Sequence, residues 1–90
     1  MNEASRSVTI VNRRGLHARA SAKFVTMASA QPVDVTVEKD GASVTGTSIM
    51  GLMMLGAAMG DTITIRAEGD EADTVVEKLA ALVADRFGED

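Results

Sequence analysis

The chain of 90 residues contains no cysteine, no tryptophan and no tyrosine, and only one histidine, one proline and two phenylalanines. Without cysteine it has no disulfide framework and no thiolate metal ligand, which favours a cytosolic setting. A zinc site takes about three protein ligands, more than a lone histidine supplies without thiols. No metal and no cofactor are expected. Two phenylalanines build no base-stacking platform, and the net charge of −4 adds to the case against nucleic acid as a partner. No apolar run approaches the ~18 residues of a membrane span, so no insertion is expected. The opening Met1-Asn2-Glu3-Ala4-Ser5-Arg6 lacks the apolar stretch of a signal peptide. What is present, 46% hydrophobic and 24% charged residues, is ordinary for a globular chain, and residues 1–90 read as a single small domain.

A second absence is local. No acid occurs between Glu3 and Asp34, while five of the nine basic residues (Arg6, Arg13, Arg14, Arg19 and Lys23) precede residue 24. Nine of the thirteen acids lie from Asp61 onward. A basic patch on an acidic protein suits docking to acidic protein surfaces, with electrostatic help to the encounter rate.

Seven short elements follow one another. Ser7–Val11 is β-branched and alternating and reads as a strand. Asn12–Gly15 is a turn. A helix is predicted from His17 to about Ala30, with Leu16, Ala20, Phe24, Met27 and Ala28 at helical spacing and Pro32 closing the segment. Val33–Glu38 has period two with three valines on one face, and Asp40-Gly41 is a hairpin turn leading into a return strand, Ala42–Thr45. Thr47-Ser48 can cap a short helix to about Leu55, stopped by Gly56. Asp61–Ala67 alternates as a strand. The last helix is predicted to open on Asp70 as N-cap, with Glu71 and Asp73 in its first turn, and to carry its apolar stripe through Phe87 to Gly88. The order β-α-β-β-α-β-α gives an α+β fold: a four-stranded, mainly antiparallel sheet with three helices on one face and threonines on the other.

The two longer helices begin differently. The last has acids at its positive end, as the macrodipole prefers; the first has His17 followed by Arg19 and Lys23, with Arg13 and Arg14 upstream and no acid near. Cations gathered there repel one another unless an anion is accommodated, and free helix N–H groups, here those of Ala18 and Arg19, suit a phosphate-like group. His17 precedes the buried stripe, so its ring is expected to reach solvent. Imidazole, with a free pKa of about 6.5, is a nucleophile at neutral pH. A capping histidine without chemistry is the plain alternative. Other chemistries fail by inventory. A serine triad lacks its acid near His17, and Gly46, Gly51, Gly56 and Gly60 are not followed by the Lys-Ser/Thr of a P-loop. No independent catalysis is expected.

Gly15-Leu16-His17-Ala18-Arg19 followed by Lys23-Phe24-Val25, together with Ser48-Ile49-Met50-Gly51-Leu52-Met53 and then Leu55-Gly56, resembles the histidine-containing phosphocarrier family HPr of the bacterial phosphoenolpyruvate-dependent phosphotransferase system. The resemblance covers nearly the whole chain. It implies an open-faced β-sandwich. It implies that His17 is phosphorylated through Nδ1, accepting from enzyme I and passing to an enzyme IIA domain, and that Arg19 contacts the phosphoryl group. It implies that Ser48 matches the serine modified by HPr kinase/phosphorylase in bacteria that have that enzyme. The family's frequent proline after the arginine is Ala20 here, a good helix former, so only a small local change is expected. The His17 run looks like proteobacterial members, including those tied to nitrogen-related regulation rather than sugar uptake.

On its own terms Ser48 is an N-cap. A short helix buries about half its circumference. On the plain reading Ile49, Leu52 and Met53 pack in the core and leave only Met50 and Met54 exposed; on the interface reading Ile49 and Met53 join the exposed surface. The expected partner surface comprises Arg14, Ala20, Lys23, Ile49, Met50, Met53 and Met54 on a monomer. Two other readings stay open: a module that binds a free anion, and an interaction protein in which His17 is idle.

Overall fold

A computed structural model describes residues 3–89. Its elements are β1 (Glu3–Thr9), α1 (Ala18–Ser29), β2 (Val35–Lys39), β3 (Ala42–Thr45), α2 (Ile49–Met54), β4 (Thr62–Glu68) and α3 (Ala72–Ala84), followed by a 3-10 turn at Arg86–Gly88. The strands form one sheet in the order β1-β4-β2-β3, with every pairing antiparallel. The predicted element order and layering are therefore found.

Alternation decides which face is covered. Ile63, Ile65 and Ala67 of β4 and Val35 and Val37 of β2 are buried with Phe24 of α1, Leu52 of α2 and Val75, Val76, Leu79 and Val83 of α3. Arg6 pairs with Glu77 of α3, so β1 offers Ala4, Arg6 and Val8 to the helices. On the open face Ser7 and Thr64 share a hydroxyl hydrogen bond of 3.2 Å across the strands, and Arg66 pairs with Glu38. Asp40 and Gly41 both have positive φ (51° and 85°), the geometry that matches a two-residue turn to strand twist.

Three elements depart most from the sequence reading. β1 runs Glu3–Thr9 rather than Ser7–Val11, because pairing with β4 from Glu3↔Glu68 to Thr9↔Thr62 draws a polar segment into the ladder. Val33 lies outside β2, and the strand runs on to Lys39. The last helix is the largest departure. Glu71, not Asp70, is its N-cap and makes no side-chain cap, and the helix stops at Ala84. Arg86 and Phe87 then take left-handed φ of 58° and 56°. This reversal turns the Phe87 ring into the core, where it is fully buried, and sends the following residues back toward α1. An apolar residue in helical register cannot reveal that the helix has ended before it.

α2 decides between the two readings of its apolar residues. Only Leu52 is buried, while Ile49 and Met53 are each 41% exposed, Met50 is 70% and Met54 is 80%. Six residues are less than two turns, too few to carry a second buried row.

Candidate functional site

The site is the start of α1 and the segment that leads to it. Gly15 has φ +63°, and a Cβ there would lie 2.3 Å from the Ala57 carbonyl oxygen, so no other residue fits without moving the backbone. The Leu16 N–H donates to that same carbonyl at 2.9 Å, which pins the entry to the helix. Ser21, fully buried, donates its hydroxyl to the Leu16 carbonyl at 3.2 Å.

His17 is the N-cap of α1, with extended backbone (φ −75°, ψ −180°) and no side-chain cap. The first helical bond runs from the Ser21 N–H to the His17 carbonyl, 2.9 Å. The N–H groups of Ala18, Arg19 and Ala20 are thus the orphan donors of this helix. The first turn holds no acid. The His17 side chain is 20% exposed, so it reaches solvent in part.

The expectation that no acid lies near His17 is wrong. His17 Nε2 is 2.5 Å from Glu89 Oε2, 72 positions away in sequence. The other Glu89 oxygen, Oε1, accepts from Asn12 Nδ2 at 3.0 Å, and Asn12 Nδ2 also donates to the Gly15 carbonyl at 2.9 Å. Asn12 is fully buried, and its Oδ1 has no partner among the described residues. Burial of the Glu89 carboxyl alone would raise its pKa. The hydrogen bonds from Asn12 and His17 and the nearby Lys23 ammonium outweigh that and hold it below the ordinary carboxylate range. The tail is tied down once more where Lys23 Nζ donates to the Phe87 carbonyl at 2.7 Å.

Glu89 also lines an open cavity of about 460 Å³ with Arg13, Arg14, Arg19, Lys23 and Gly88. Four cations against one carboxylate leave the cavity positive, and among the described residues Arg13, Arg14 and Arg19 make no ion pair. Such a pocket suits a multiply charged oxyanion, with arginine forks as donors.

The structure brings together His17, Ala18, Arg19, Arg14 and Lys23, as predicted for a site at this helix start. It does not bring Ala20 to the surface. Ala20 is fully buried in the core, because it sits on the stripe that faces the sheet, and it offers nothing to a partner. Ser48 stands apart at the start of α2, where its Oγ accepts from the Gly51 N–H at 2.9 Å. α2 packs on α1 and shows Ile49, Met50, Met53 and Met54 to solvent. Sequence reasoning missed Asn12 and Glu89. Asn12 resembled a routine turn residue, and nothing periodic marks the tail reversal that delivers Glu89.

The chain is similar to known proteins along nearly its whole length. The family model described as the PTS HPr component phosphorylation site matches residues 4–85. The phosphocarrier protein HPr of Cupriavidus necator is 44% identical over 84 residues, 93% of this chain and 94% of that protein. The phosphocarrier protein NPr of Shewanella violacea is 38% identical over 89 residues, 99% of this chain and 98% of that protein. The crystal structure of an HPr from Thermoanaerobacter tengcongensis superimposes with a TM-score of 0.89 at 40% identity, covering 100% of this chain and 99% of that one. The chain belongs to the HPr family of phosphocarrier proteins of the phosphotransferase system.

Proposed function

We propose that residues 1–90 form one HPr-like domain acting in the cytoplasm, in which His17 accepts a phosphoryl group from enzyme I and passes it to an enzyme IIA domain. The observation that carries this reading is the placement of the chain's one histidine at the start of α1, beside a cavity lined by four cations. The Nδ1 lone pair of His17 attacks phosphorus in line with the donor's P–N bond. That bond breaks with its electron pair going to the donor nitrogen. Arg19 and the N–H groups of Ala18 and Arg19 stabilise charge on the equatorial oxygens. The product is a phosphohistidine as reactive as its donor, so the step runs both ways. Partners dock on Arg14 and Lys23 and on Ile49, Met50, Met53 and Met54, which lie exposed. A carrier must release each partner, so interfaces below ~1,200 Å² on a monomer are expected. Incubation with phosphoenolpyruvate and enzyme I yields an acid-labile, base-stable mass adduct that is absent in His17→Ala. The absence of an adduct on the parent chain with a competent enzyme I overturns the reading. Anion binding retained by the variant would then favour a binding module.

Ser48 is the proposed site of regulatory phosphorylation by HPr kinase/phosphorylase. A phosphate at a helix N-terminus is locally favourable, so the fold survives it, while added charge beside exposed methionines opposes docking. Whether the phosphoryl group serves sugar uptake or nitrogen-related regulation is a property of the acceptor. A panel of enzyme IIA domains of both kinds, scored for transfer from phosphorylated protein, separates the two.

A further inference from the structure

We infer that Glu89 is a positioning residue that holds His17 as its Nε2–H tautomer, leaving Nδ1 as the nucleophile. The inference deepens the carrier reading of His17 and rests on it for its functional part. A neutral imidazole carries one N–H, and the partner of the other nitrogen decides which nitrogen bears the proton. An ionised carboxylate only accepts hydrogen bonds. With Oε2 of Glu89 2.5 Å from Nε2, the proton belongs on Nε2 and the lone pair on Nδ1. Among the described residues Nδ1 has no hydrogen-bond partner, so nothing in the fold competes with an incoming phosphorus for it.

The carboxylate is itself held. Asn12 spends both of its Nδ2 protons, one on the Gly15 carbonyl and one on Oε1 of Glu89. Because Asn12 is fully buried, it references Glu89 to the backbone that precedes His17. The Lys23 ammonium on the Phe87 carbonyl fixes the same tail from the other side. This is the orienting-acid arrangement of nucleophile–base pairs, with the acid two steps from the reacting atom.

The balance of the transfer step explains what the carboxylate does. The donor is a phosphoimidazolium with a proton on its distal nitrogen, and the acceptor is the neutral form of His17, the form with a lone pair on Nδ1. As the Nδ1–P bond forms and the donor P–N bond breaks, the donor leaves as neutral imidazole. His17 becomes the phosphoimidazolium, keeping its proton on Nε2. No proton moves. The positive charge that arises on the His17 ring forms against Glu89, and the carboxylate remains ionised because its pKa is held low.

The test uses ring-labelled protein. Two-bond ¹⁵N–¹H spectra of the neutral ring in the parent chain show the Nε2–H form. In Glu89→Ala the Nδ1–H form gains population, and initial phosphorylation by enzyme I slows roughly tenfold, the size of one lost charge-assisted hydrogen bond that orients a nucleophile. Glu89→Asp recovers part of both. A parent ring protonated on Nδ1 overturns the proposal, as does a Glu89→Ala variant with an unchanged tautomer or with faster acceptance. Amide spectra of the variant confirm the fold. If the parent accepts no phosphoryl group, the carrier reading fails, and the tautomer spectra alone still decide what Glu89 does.

Discussion

Helices α1 and α2 begin in opposite ways. At α2 the N-cap Ser48 turns its hydroxyl inward and accepts from the Gly51 N–H, satisfying the helix from within. At α1 the N-cap His17 makes no side-chain cap and turns its ring to the carboxylate of Glu89, 72 positions away, while Arg19 and Lys23 of the same helix line a cationic cavity. The first arrangement is complete as it stands. The second forgoes the roughly 1 kcal/mol that a Ser, Thr, Asp or Asn cap contributes and gathers like charges at the positive end of a dipole. Local rules are broken in this way at functional sites, and the break falls where the proposed phosphoryl group would sit.

Substitutions test the contrast, beginning with the largest effect. His17→Ala removes the phosphoryl acceptor, and intact-mass measurement after treatment with enzyme I should show complete loss of the adduct. Arg19→Ala, which takes one donor from the transferring group, should slow acceptance by about 100-fold in single-turnover assays, with little change in melting temperature. If the slowing is less than twofold, Arg19 does not touch the phosphoryl group. Gly15→Ala tests the scaffold. The left-handed φ and the clash with Ala57 should lower unfolding free energy by about 2 kcal/mol or more, read by urea titration. At α2 the response should be structural first. Ser48→Ala costs about 1 kcal/mol of stability and leaves transfer rates nearly intact. Ser48→Asp keeps the cap, holds the melting temperature and slows acceptance; equal rates for the two variants would remove the regulatory reading.

The smallest effect concerns acid. Because the Glu89 carboxyl is held below its ordinary pKa of about 4.3, its contribution to stability is fully present above that pH and is lost as pH falls through the lower folded value. Melting temperatures of the parent and Glu89→Gln should therefore differ at neutral pH and converge in acid. Parallel curves from neutral pH into acid would show that the His17–Glu89 contact does not persist in solution.

The fold was legible because its signals are local. Valines and isoleucines alternate in β2 and β4, Asp40-Gly41 announces its turn, and Phe24, Val75, Leu79 and Val83 recur at helical spacing. The site was legible in half. Arg19 betrays itself by standing in a first turn where acids belong, with His17 just before it as the N-cap. Glu89 does not, since its meeting with His17 depends on two left-handed residues, Arg86 and Phe87, that no propensity scale favours there. Buried Phe87 selects that geometry by tertiary packing, which a periodic pattern cannot report. Periodicity likewise left Ile49 and Met53 between core and surface, a choice set by how few turns α2 has.

The tail reversal bears on how this protein is handled in the laboratory. A purification tag or fluorescent fusion placed close after Glu89 is joined next to the Glu89–His17 pair. The start of β1 lies at the opposite end of a seven-residue strand, about 20 Å from where that strand hands over to the Asn12 turn. A label placed there lies away from the His17–Glu89 contact, whereas one placed close after Glu89 lies beside it.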